Sequence, residues 1–158
     1  MSDRSDRTEN GNTKAFFQVS QFCDGIDRRG MDLQKQIDYW RDGSEEDLDF
    51  AETALQWGKL RHGMFFAHLA VEKMLKAHVA RHTKSVPPRI HVLERLAQLG
   101  GLKINATRLK FLREFDVYQL EGRYPGSTQR PLEVKAARRD FLAAKEMITW
   151  LKNQLEKQ

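Results

Sequence analysis

Two short stretches hold residues whose types and spacing suit chemistry: Glu121-Gly122-Arg123-Tyr124-Pro125-Gly126, and His68 to His78 with Glu72, Lys73 and Lys76 between them. In the first, Pro125 pushes Tyr124 toward an extended backbone and ends a helix, which leaves Arg123 in the last turn. Two roles suit an arginine there. It can serve only as a cation beside the unpaired carbonyls and the negative end of the helix dipole. Or it can offer a planar fork of donors to a phosphate, with Tyr124 as a stacking face and Arg130 and Lys135 in support. In the second stretch Glu72 and Lys76 stand four residues apart in the favourable order, which predicts pairing along a helix surface.

Other chemistries find little support. All five histidines, His62, His68, His78, His82 and His91, fall in one part of the chain. His78 and His82 share a helical face, yet no cysteine or carboxylate joins them at ligand spacing. Surface or half-buried histidines are therefore expected, without metal or cofactor. The lone Cys23 has no catalytic neighbourhood, no serine stands in a Gly-x-Ser-x-Gly turn, and Gly100-Gly101 reads as a helix stop rather than a phosphate loop. Ordinary hydrolase chemistry is not expected.

The 158 residues suffice for one domain with a real core plus a tail. No stretch is long or apolar enough to span a bilayer, Met1 to Asn12 resembles neither a signal nor a transit peptide, and one cysteine fits a reducing compartment. The expected location is cytoplasmic, with no membrane partner. The net charge of +5 arises wholly after residue 30, because acids and bases before it cancel. Arg123, Arg130, Lys135, Arg138 and Arg139 face only Glu133, and a second surplus runs from Arg61 through Lys73, Lys76, Arg81 and Lys84 to Arg89. Such clusters suit phosphate or an acidic partner as well as plain solvated surface.

The elements that must position these residues read as helices throughout. Residues 1–30 are polar and glycine-interrupted, which predicts a mostly disordered tail with one short helix near residues 14–23. Residues 31–158 form the domain. Leu33, Ile37 and Trp40 share a face before Gly43, and Ser44 with Asp47 makes a weak capping box for a new helix over residues 44–59. A helix over about 62–82 follows, burying Phe65, Phe66, Leu69, Leu75 and Val79. Pro87-Pro88 closes it, a short helix carries Leu93, Leu96 and Leu99, and residues 105–121 form one further helix. Pro131 suits the first turn of the last helix, where Ala137, Phe141, Ala144, Ile148, Leu151 and Leu155 form a bundle seam. The predicted fold is all-α: an antiparallel bundle of four long helices plus a short one.

In combination these stretches resemble the HEPN family, the higher-eukaryote and prokaryote nucleotide-binding domain, in its prokaryotic form associated with minimal nucleotidyltransferases. The likeness runs through Ile37-Asp38-Tyr39-Trp40, Asp47-Leu48 with Ala51, Glu72-Lys73 with Lys76 and Ala77, Pro88 to His91 with Leu93, and Arg123-Tyr124-Pro125, over roughly residues 32–155. It implies a HEPN-like bundle that forms homodimers and pairs with a minimal nucleotidyltransferase in a toxin–antitoxin or regulatory system. It marks Asp47, Glu72, Lys73 and Pro125 as motif residues, and Arg123, Tyr124, Arg130, Lys76 and His91 as candidates for holding nucleotide or RNA. Active members are metal-independent RNases whose motif is an arginine, four to six residues, then a histidine. Here that spacing from Arg123 reaches Thr128, Gln129 and Arg130, and no histidine follows His91. Three functions remain open: a non-cleaving nucleotide-, RNA- or nucleotidyltransferase-binding component; an RNase toxin with a displaced acid/base, His91 or Tyr124; and an assembly subunit that binds no nucleotide.

Overall fold

A computed structural model describes residues 32–123 and 131–157. The expected tail and its short helix lie outside them, as do Tyr124, Pro125 and Arg130. Among the described residues every regular element is a helix. They are α1 (Leu33–Gln56), α2 (Leu60–Thr83), α3 (Leu93–Leu99), α4 (Ala106–Phe115), α5 (Val117–Arg123) and α6 (Val134–Glu156). None is long and apolar enough to cross a membrane.

Direction follows from which side chains meet. Ser44 reaches the Ala70 carbonyl, Lys73 reaches Gly43 and Lys76 lies over Trp40, so α1 and α2 run antiparallel. Lys145 pairs with Glu52 and Lys152 with Glu45, which makes α6 antiparallel to α1. Arg108 over Trp150 and Tyr118 on Asp140 set α4 and α5 antiparallel to α6. The chain therefore goes up, down, up and down, with short α3 between the second and third limbs. This is the antiparallel bundle the periodicity predicts.

Helix α2 is the axis of the core. Met64, Ala67, Val71, Met74, Leu75 and Val79 are all buried along it, while Phe65, Phe66 and Leu69 are only half-buried. The predicted seam of α6, Ala137 through Leu155, is buried at every position. Each fully buried leucine or methionine contributes roughly 2 kcal/mol by leaving water. Gly63 lets α1 and α2 close on one another, since a Cβ there would stand 2.7 Å from Leu55 Cγ. The hairpin between them turns at Gly58, whose φ of +72° suits glycine.

Three boundaries differ from expectation. Helix α1 is continuous through Gly43 and Ser44; Ser44 is not a cap but a buried hydroxyl donating to the Ala70 carbonyl at 2.7 Å. The true cap is Asp32, which accepts from the Gln34 amide. The helix expected over residues 105–121 is divided at Asp116, whose carboxylate accepts the Leu93 amide at 3.2 Å and a His68 ring N–H at 3.0 Å. Pro131 precedes α6 rather than entering it, and Glu133 is the residue before the first turn.

Candidate functional site

Glu72 sits in the middle of α2, and its neighbours explain why a carboxylate can be there. It is 2% exposed, yet Lys76 Nζ donates to Oε1 at 2.7 Å and His91 Nδ1 stands 3.1 Å from both carboxylate oxygens. The Glu72–Lys76 pairing was expected on a helix surface; it is buried, with Lys76 itself 7% exposed and its ammonium 5.1 Å from the Trp40 ring centre. A buried carboxylate is tolerated only when paired and hydrogen-bonded, and here two cationic or donor groups meet that need.

The same arrangement fastens the segment after α2. Pro87-Pro88 ends the helical path, and His91 folds back onto Glu72 from a segment that has no helix of its own. One turn earlier on α2, buried His68 donates to Asp116 at the α4–α5 break, with its other ring nitrogen 4.0 Å from Glu72. Asp116 also receives the first amide of α3. Thus Glu72, His68, His91 and Asp116 join α2, α3, the preceding segment and the α4–α5 junction through polar contacts. The sequence reading missed His68 and Asp116; His68, four residues before Glu72 on the same face, was the available signal.

Asp47 and Lys73 form a second link, between α1 and α2. Lys73 Nζ lies 2.6 Å from Asp47 Oδ2 in ion-pair rather than aligned hydrogen-bond geometry, and also donates to the Gly43 carbonyl at 3.3 Å. Burial pushes the Asp47 carboxyl above its ordinary range, and Lys73 opposes that shift.

Arg123 is differently placed. It ends α5, is exposed, and holds its guanidinium 6.0 Å from the Phe65 ring centre. A cation over an aromatic face keeps its outer donors available while its orientation is held. Nearby, Arg61 pairs with Glu121 at 3.4 Å. Tyr124 and Arg130 lie outside the described residues. Of the remaining basic cluster, Lys135 and Arg138 are exposed, and Arg139 is bound to Asp140 at 2.8 Å. The structure therefore brings Lys76 and His91 together on Glu72, and places Arg123 at the edge of α2 marked by Phe65.

No group of three or more potential metal-ligating side chains occurs among the described residues. His78 and His82 part company: His82 is exposed, while His78 is fully buried and donates from Nε2 to the Leu151 carbonyl at 2.9 Å. His68 and His78 are thus core residues, not the surface or half-buried histidines expected. Burial lowers the His78 pKa and keeps its ring neutral.

A helical bundle clasped on a buried Glu-Lys-His set defines a class, and comparison identifies it. The HEPN domain model matches residues 37–154. The chain belongs to the HEPN family. The crystal structure of an archaeal HEPN homologue superimposes with a TM-score of 0.61 at 20% identity, covering 75% of this chain and 97% of that one. No protein of curated function matches the sequence.

Proposed function

We propose that this HEPN protein is a non-cleaving, phosphate-holding component of a regulatory or toxin–antitoxin-type pair, taking nucleotide or RNA at Arg123 and working beside a minimal nucleotidyltransferase. The carrying observation is the division of labour between Arg123 and His91. Arg123 is exposed at a helix end, backed by the Phe65 ring, as a fork for phosphate oxygens should be. His91, the last histidine in the sequence, is engaged through Nδ1 with Glu72. In this reading Lys76 and His91 stabilise the frame, and Tyr124, Arg130 and Lys135 complete the phosphate surface.

Chemistry favours holding over cutting. Arginine neutralises phosphate charge without exchanging a proton, so it binds and polarises but cannot serve as general base. RNA cleavage also needs a group to take the 2′-hydroxyl proton, and its loss typically forfeits about two to four orders of magnitude in rate. The sequence places Thr128, Gln129 and Arg130 where the family motif places histidine.

Calorimetric titration with ATP and with a short single-stranded RNA tests this. Binding that weakens about tenfold or more in Arg123→Ala, as loss of a charge-assisted contact predicts, supports it. No heat with either ligand would favour an assembly subunit instead.

A further inference from the structure

The outer side of α1 carries a feature that the Arg123 reading does not use. Tyr39, Phe50 and Trp57 are 67%, 46% and 70% exposed. At about 100° per residue they fall within about 20° of one azimuth, forming one aromatic stripe about 27 Å long. Phe50 continues it onto α2, where its ring meets Phe66 at 4.5 Å between centres. Large aromatics in register over five turns form a contiguous apolar surface, not scattered exposed side chains.

The border of the stripe has one sign. Asp42, Glu46 and Asp49 are exposed along the flank away from α2. The acids on the opposite flank are already used: Glu45 holds Lys152 and Glu52 holds Lys145. An apolar stripe of helical period beside an acidic margin complements a helix with apolar residues at three- and four-residue steps and lysine or arginine beside them. A second copy laid antiparallel along the same stripe would bring one acidic margin against the other.

We infer that α1 is a docking surface for a basic amphipathic helix of a partner protein, about 18 residues long, seated on Tyr39, Phe50 and Trp57. The aromatic side chains supply the anchor, and Asp42, Glu46 and Asp49 select the sign of the partner's flank. The surface is separate from Arg123, so it can be engaged whether or not phosphate is bound.

The test uses the full chain and two fluorescein-labelled 18-residue helical peptides with identical leucine stripes, one flanked by lysine and arginine and the other by aspartate and glutamate. Fluorescence anisotropy should show the basic peptide binding at least about tenfold more tightly. Phe50→Ser with Trp57→Ser should weaken it by a further tenfold or so, while the exposed sites leave the circular-dichroism melt unchanged. Glu46→Lys with Asp49→Lys should reverse the preference between peptides. Equal affinity for both peptides, no saturable binding, or binding indifferent to the stripe variants would overturn the inference. So would a concentration-dependent dimer in light scattering that Phe50→Ser abolishes, because the stripe would then belong to a second copy.

Discussion

Glu72 shows how one residue can carry a motif for structural reasons. Its carboxylate is held by Lys76 and His91 inside the bundle, so removing it leaves a buried ammonium without its counter-ion. Glu72→Ala should lower unfolding free energy by about 3 kcal/mol in urea titration, whereas Glu72→Leu with Lys76→Met should recover much of that loss. If the double variant fares no better than the single, the pair is not the reason the glutamate is needed. His78 makes a pH prediction at the same scale. Its folded pKa lies below the ordinary value of 6.5, so the unfolded chain binds more protons in the window just below 6.5. Its contribution is therefore intact above that value and is lost as pH falls toward the folded pKa. Thermal melts between pH 7 and 5 should show this decline, and His78→Gln should flatten it; an unchanged slope would assign the decline to other groups.

Among elements, legibility followed periodicity. The α6 seam from Ala137 to Leu155 was readable because apolar residues at three- and four-residue steps face one neighbour, and every one is buried. The α1 break was misread because Gly43 and Ser44 resemble a stop and a restart. Across the helix pair Gly43 makes room for Lys73, whose Nζ would be 3.3 Å from a Cβ there, and Ser44 finds the Ala70 carbonyl. Neither partner is visible in local sequence. Asp116 was likewise hidden inside an apolar repeat, because its reason for being there is His68 on α2 and the first amide of α3. Two substitutions test this packing. Gly63→Ala should cost about 1–3 kcal/mol by forcing Leu55 and the Ala51 carbonyl apart, and Ser44→Ala about 1 kcal/mol through its lost hydrogen bond. Chemical denaturation reads both, and neutrality at Gly63 would mean that α1 and α2 are not as close as described.

For the molecule as a whole, fold and family were readable from motif order, but the separation of framework from site was not. Glu72, Lys73, Lys76, His91 and Arg123 look alike in a sequence as charged motif residues. In the fold, the first four are engaged in contacts that tie α1, α2 and the segment before α3 together, while Arg123 stands exposed over Phe65. Burial makes that distinction, and burial depends on which helices meet. The central claim is that Arg123 holds phosphate in a protein that does not cut RNA. Its most direct test incubates a labelled single-stranded RNA with the full chain and with Arg123→Ala, reading anisotropy and strand length from the same sample. The account predicts saturable binding, intact RNA and affinity reduced about tenfold or more in Arg123→Ala. Shortened RNA with the unmodified chain, and intact RNA with Arg123→Ala, would contradict it.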